Sequence, residues 1–520
     1  MYINYNKVGG IEYGTATTSV RKGQKVGKGE QIYLGRVLDK ERGIFKNRER
    51  GVFVYDIKSN NFSDVPAEYQ EPKIKRRTKT PKRSVLIVSF GDLFFLDAYI
   101  KKSGLTDVID AAGYKNRDTL YALLAYYLLS SHANCHAQDW WELTYANILY
   151  PNAQLSSQRI SDALSDIGSE EAKRGFFKEY IHFLTNAEAN LSTDNQYGAD
   201  DGILIDSSGL PNSAHLPLTA VNTHNGVLSN EIRLIYVVQQ KTGLPLFFRY
   251  VAGNIVDVST LTRTMAELKA NGINTKFAIL DAGYYTGINA DALYEAKVSF
   301  ISRMKGNFKV YKELINKHLD SLMTKKNLVR YHGRLVYIKR IPCKIGSKED
   351  RSAYAYLCLD LSMKHELEKN LALKAEDENI STDEIYDAMQ KQGVFVLVSS
   401  RKIAKENLLP LYYTRDQIEK VFSICKQGGK ILPLNIEKEA TLRGHLMLTF
   451  AAAIILKLMS EKLKGSSLTT SSMFMNLHEQ HAIVYDDEII TSEPTKKMND
   501  AYKAFGIECP ISIQRNDVKM

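Results

Sequence analysis

The chain has 520 residues, is 44% hydrophobic and 25% charged, and carries a formal net charge of +10. That composition excludes a disordered or fibrous chain, allows about two to four domains with large cores, and is compatible with a polyanionic partner. Five scattered cysteines (Cys135, Cys343, Cys358, Cys425 and Cys509) form no CxxC pair, which argues against a disulfide framework or zinc ribbon and fits a reducing, cytoplasmic compartment.

The first stretch, MYINYNKVGG, lacks the charged-then-apolar plan of a signal peptide. Residues 1–70 alternate short β-rich runs (QIYLGRVL, GVFVYDI) with Gly and Lys/Arg turns, the pattern of a small antiparallel module. Residues 71–83, EPKIKRRTKTPKR, hold seven basic residues and two prolines. They read as a linker, either simply solvated or lying along a phosphate backbone.

Residues 84–195 read as helical, with LYALLAYYLL an apolar helix and LSSQRISDALSDIG a Ser-capped one. The second is either a packed helix of an ordinary pair or the reading helix of a DNA-binding helix-turn-helix, with Gln158 and Arg159 near its start. His132, Cys135 and His136 have no partner pair nearby and read as a packed or surface cluster rather than a metal site.

From Gly202 the pattern changes. GILIDSSG is an apolar run carrying Asp206; EIRLIYVVQQ and PLFFRYVAG flank the turn KTG; TKFAILDAGYY carries Asp281; and VSFISRMKGN follows a short helix. The order βββαβαβ is that of an α/β, ribonuclease-H-like mixed sheet with flanking helices, here over residues 200–307 and 401–464. Asp206 is expected to end the first strand and Asp281 the fourth. As parallel neighbours they would stand side by side, where two carboxylates repel unless a cation lies between them. Asp201, Asp257 and Asp291 are read as loop or capping residues. Residues 308–400 are expected to form a β-rich insertion before the last catalytic helix, and 465–520 a polar C-terminal tail. The apolar stretch Leu446 to Met459 is read as a buried helix too short to span a bilayer.

Leu411 to Lys430, LYYTRDQIEKVFSICKQGGK, holds Tyr412, Arg415, Glu419 and Lys426. At roughly 100° per residue, steps of three, seven and fourteen from Tyr412 fall at about 300°, 340° and 320°, on one helical stripe. An aromatic, a guanidinium, a carboxylate and an amine along one stripe suit a face holding a metal ion and a phosphate chain together. The plain alternative is a solvated stripe with an Arg415–Glu419 pair.

YYTRDQIEKVFSICK matches the Y-x2-R-x3-E-x6-K signature and so resembles the DDE transposases of bacterial insertion sequences, insertion-sequence family four. LIDSSGLP and LDAGYY are similar to that family's two aspartate regions, and the resemblance covers roughly residues 200–460. It implies that Asp206, Asp281 and Glu419 are catalytic and hold two divalent ions, Mg²⁺ or Mn²⁺. It further implies that Tyr412, Arg415 and Lys426 grip double-stranded DNA at the terminal inverted repeats and target. Lys305 and Lys309, just past the fifth strand, either extend that track or are ordinary surface residues. Strand cleavage and transfer of the 3′-hydroxyl, a homodimer on synapsis and a nucleoid-associated location in the cytoplasm are further expectations. A catalytically silent DNA-binding relative and a nuclease of the same fold without strand transfer are the alternatives. A two-carboxylate glycosidase is disfavoured by the basic charge and only two tryptophans.

Overall fold

The computed structural model describes residues 1–8, 11–22, 25–66, 69, 86–190, 202–224, 227–378, 389 and 391–515. The basic linker expected at 71–83 lies outside them, as does Asp201. The chain divides into two compact units, Met1–Arg83 and Ser84–Met520.

The first unit is a six-stranded antiparallel meander in sequence order, β1 (Tyr2–Val8), β2 (Ile11–Lys22), β3 (Lys25–Asp39), β4 (Ile44–Asn47), β5 (Gly51–Asp56) and β6 (Asn61–Ser63). Its inward positions supply a core of its own, built on Ala16, Leu34, Phe45, Phe53 and Tyr55. A strand's side chains alternate between faces, so VFVY in β5 buries Phe53 and Tyr55 together.

The second unit opens with β7 (Leu86–Ser89) and the helices α1 (Gly91–Ser103), α2 (Leu105–Asp110), α3 (Arg117–Leu129), α4 (Ala137–Leu143), α5 (Ala146–Leu149), α6 (Ser157–Ile167) and α7 (Glu170–Asn190). The central sheet follows: β8 (Ile203–Pro211), β9 (Ala220–His224), β10 (Val227–Gln239), β11 (Pro245–Ala252), α8 (Leu261–Ala270), β12 (Phe277–Leu280), α9 (Gly287–Glu295) and β13 (Ser299–Met304). Then come α10 (Lys309–His318), β14 (Leu328–Tyr331), β15 (Arg334–Ile345), β16 (Arg351–Asp360), α11 (Leu361–Glu378) and β17 (Val394–Ser399). The strands run in the order β11-β10-β8-β12-β13-β17-β16-β15-β14, with β9 paired to β10. Only β8, β12 and β13 are mutually parallel; the other pairings are antiparallel. The fold is therefore mixed α/β around a mixed sheet.

Residues 308–400 carry β14 to β17 before α12, and these strands continue the same sheet, because β17 pairs with β13 and β16 with β17. The C-terminal residues are also well structured. After α12 (Lys405–Tyr412), α13 (Asp416–Gln427) and α14 (Glu439–Lys462) come α15 (Thr470–His478), β18 (His481–Val484), β19 (Glu488–Thr491), α16 (Lys496–Phe505) and β20 (Ser512–Gln514). β18 pairs with β7, closing a four-stranded sheet across nearly the whole length of this unit. His478 Nδ1 donates to Asp92 Oδ2 at 2.7 Å, and Phe474 and Phe505 pack on Phe95 of α1.

The core gathers on α14. Phe450 lies 5.8 Å from Tyr236 of β10, 5.3 Å from Phe248 of β11 and 5.5 Å from Phe177 of α7. α14 is, by length and composition, long enough to cross a membrane, longer than the stretch read from the sequence, but 89% of its apolar window is buried inside the protein. α6 crosses α14 at backbone contact: a Cβ on Gly444 would lie 1.9 Å from the Leu164 carbonyl oxygen, and one on Gly168 equally close to that of Ala440. That crossing fixes α6 against the core.

Candidate active site

The site is built where β8 and β12 run parallel. Their register pairs Leu280 with Ile205, so the next residues, Asp281 and Asp206, emerge as neighbours. β8 does not stop at Asp206, as the sequence suggested, but continues to Pro211. The reason is its other neighbour: β10 pairs with β8 as far as Pro211, opposite Glu231.

Because β8 continues, its residues past Ile205 alternate between the two faces of the sheet. Asp206 and Ser208 lie on the face of Tyr236, which is covered by α13. There Cys425 Sγ sits 3.4 Å from the Tyr236 hydroxyl, and Lys426 Nζ donates to Ser208 Oγ at 2.8 Å. Ser207 lies on the opposite face, where its hydroxyl donates to Asp257 Oδ1 at 2.6 Å.

The four signature residues do not lie on one continuous helix. α12 ends at Tyr412, residues Tyr413–Arg415 form a 3-10 turn, and α13 starts at Asp416. The Thr414 hydroxyl donates to the Leu411 carbonyl at 2.7 Å in this break. The tighter turn carries Arg415 inward. Its Nη1 lies 3.0 Å from Asp281 Oδ1, and its Nη2 lies 3.5 Å from Asp206 Oδ2 and 3.8 Å from Glu419 Oε1. Nη1 also reaches the Tyr412 hydroxyl at 3.4 Å. One guanidinium thus joins all three carboxylates.

Burial sets the charges. Asp206 is only 18% exposed, whereas Glu419 is 63% exposed. Burial pushes the Asp206 carboxyl up to about 6, against the pull of Arg415 and of the Ser207 N–H. Burial also disfavours the Arg415 charge, yet Asp281, Tyr412 and Asp206 together hold the guanidinium above its ordinary range. The Tyr412 hydroxyl, buried beside it, is raised as well, chiefly by burial.

Among the described residues, no group of three or more His, Cys, Asp or Glu side chains stands close enough to hold a metal ion. The guanidinium lies among the three carboxylates instead. The three carboxylates each face that guanidinium, so positive charge is favoured between them, and their oxygens are hard donors of the kind a divalent cation takes.

A second polar layer escaped the sequence reading. Arg233 Nη1 donates to Asp257 Oδ1 at 2.9 Å, and its Nη2 lies 3.8 Å from the buried Glu231 carboxylate. Glu231 in turn accepts from Asn222 Nδ2 at 2.6 Å. Asp257 starts a 3-10 turn, but its carboxylate packs beside Ser207 rather than capping the turn. Asp291 lies inside α9, where it accepts from the Ser347 N–H at 2.9 Å and pairs with Arg351. The available signal was Glu231 and Arg233 two apart in an otherwise aliphatic strand, which puts both charges on one face.

The remaining predicted residues lie apart from these contacts. Lys305 follows β13 and Lys309 begins α10; both are exposed, and Lys309 pairs with Glu313 at 3.7 Å. Gln158 and Arg159 are exposed on the first turn of α6, with Gln158 Nε2 donating to Asp162 at 2.9 Å.

Residues 197–455 match the family model described as a transposase DDE domain. No curated protein matches the chain. Among solved structures, the chain is similar to the cryo-EM structure of a piggyBac transposase synaptic complex with hairpin DNA, at 11% identity, covering 75% of this chain and 79% of that one, with a TM-score of 0.40. The match over residues 197–455, which spans both strand aspartates and the Arg415–Glu419 turn, supports a DDE transposase.

Proposed function

We propose that the protein is the transposase of an insertion sequence of the Y-R-E-K group, cutting a phosphodiester at each element end and joining the freed 3′-hydroxyl to target DNA. The observation that carries this reading is the side-by-side emergence of Asp206 and Asp281, with Glu419 and Arg415 brought over them. The strand order β11-β10-β8-β12-β13 supports a ribonuclease-H-like core.

Asp206, Asp281 and Glu419 are the residues that would hold two Mg²⁺ or Mn²⁺ ions. When bound, such ions activate a water or 3′-hydroxyl and stabilise the leaving oxygen. The chain's own groups do the rest. Arg415 presents a planar fork suited to a phosphate, and Tyr412 holds it from one side. Lys426, hydrogen-bonded two residues beyond Asp206, sets a positive charge beside the reacting strand. Lys305 and Lys309 extend this track, and Gln158 and Arg159 read the repeats from α6. Two ends held together imply a homodimer, acting on DNA in the nucleoid-associated cytoplasm.

The test is Glu419→Gln. It is expected to abolish metal-dependent cleavage of DNA carrying the element ends while leaving binding to those ends nearly intact. Cleavage that survives would remove Glu419 from the site, and binding lost with it would assign it a structural role.

A further inference from the structure

Two cavities, of about 790 and 730 Å³, meet beside Lys430. The first is bordered by Lys426, next to the candidate active site, and by Thr470 and Ser471. The second reaches Ser157 and Ser161 on α6. Lys430, Ser131 and Leu432 line both. The two therefore adjoin, and together they line a groove from the end of α13 to the helix that carries Gln158 and Arg159.

The Lys430 ammonium is buried without a hydrogen-bond partner among the described residues. It rests on the faces of Tyr126, 3.1 Å from the ring centre, and Tyr127, at 5.9 Å. Its backbone takes φ +54°, a left-handed conformation that side-chain-bearing residues avoid. Burial alone pushes its amine down to about 7, with no carboxylate raising it. The neighbouring His445 is driven to its neutral form by burial and offers no negative charge. Asp92, on the first cavity's border, is already engaged by His478. Glu479 and Glu437 border the two cavities as well, but neither raises the amine; a buried cation packed on aromatic faces is complete when an anion enters the groove.

We propose that this groove is a binding track for a DNA phosphodiester backbone, with Lys430 as its central phosphate contact, leading the strand from the candidate active site to α6. The inference rests on the proposed function and names the path its substrate takes. Ser131, Thr470 and Ser471 supply neutral donors along the same wall, the kind of contact that positions a backbone without reading sequence.

The test uses the full chain in EDTA, so that no cleavage intervenes, and a short fluorescent DNA duplex titrated across a range of salt concentrations. Lys430→Met, which removes a buried charge and keeps the stem, is expected to bind about fivefold more weakly and to lower the salt slope by about one unit. Ser131→Glu, at an exposed position lining both cavities, introduces a repelling charge and is expected to weaken binding at least as much; it decides the matter should Lys430→Met not fold. Wild-type affinity and slope in the folded variants, with wild type binding normally, overturn the track and leave the transposase reading standing. No DNA binding by wild type defeats both. Inorganic phosphate that stabilises wild type but not Lys430→Met, with DNA affinity unchanged, would make this a small-anion site and also overturn the track.

Discussion

Arg415 Nη1 lies 3.0 Å from Asp281 Oδ1, and the same guanidinium reaches Asp206 and Glu419. Two carboxylates side by side on adjacent strands repel each other, and the guanidinium offsets that repulsion when no metal is bound. Arg415→Gln is therefore expected to destabilise the protein in EDTA by about 2 kcal/mol, less than the ~3–5 kcal/mol for breaking a fully buried pair because Glu419 and Asp281 reach solvent. Mg²⁺ should restore more stability to the variant than it adds to wild type. Thermal melts with and without the ion check both statements; equal melts in EDTA would contradict them.

Asp206 gives the site a pH dependence. Burial pushes its folded-state carboxyl up to about 6, above the ordinary 3.8. Below that pH it is protonated, and a divalent ion must displace the proton as well as Arg415. The stabilisation by Mg²⁺ is expected to be present at pH 8 and largely lost by pH 5. An Asp206→Asn variant should show little Mg²⁺ stabilisation at either pH. Differential scanning fluorimetry across that range is the measurement, and a pH-independent shift in wild type would contradict it.

Lys430 is shifted in the other direction. Its folded-state amine is lowered to about 7 from 10.5, so between those values the unfolded chain binds the extra proton and stability rises with pH. The cost of burying the charge is thus greatest below pH 7. Lys430→Met is expected to raise the melting temperature more at pH 6 than at pH 10. An equal gain at both values would show that the amine keeps its proton throughout.

The crossing of α6 and α14 has no room for a methyl group at Gly444, where a Cβ would meet the Leu164 carbonyl oxygen at 1.9 Å. Backbone cannot step aside as a side chain can. Gly444→Ala is expected to destabilise the second unit by about 3 kcal/mol, the upper end of the overpacking range. Denaturant unfolding measures this, and a change within error would mean that the helices part without cost.

The two aspartates were legible because each follows an apolar run of strand length, and the signature residues because their spacing is fixed. What Arg415 does was not legible. It depends on the 3-10 break at residues 413–415, stabilised by Thr414, and on a strand register set by distant partners. Likewise β14 to β17 read correctly as strands, but the edge they join is decided by pairings such as Ile301 with Ser399. The structured tail was missed because β18 finds its partner β7 nearly the full length of the second unit away. Asp257 read as a cap because its neighbours Ser207 and Arg233 come from two other strands.

The central claim is that Asp206, Asp281 and Glu419 form a metal-dependent strand-cutting site. Its most direct test takes labelled DNA from both flanks of the protein's own gene, incubates it with the protein and Mg²⁺ or Mn²⁺, and maps new 3′ ends, with Asp281→Ala alongside. The expected result is cuts at matching sites on both flanks, dependent on the ion and absent in the variant. Binding without cuts, or cuts that persist in Asp281→Ala, would contradict the account.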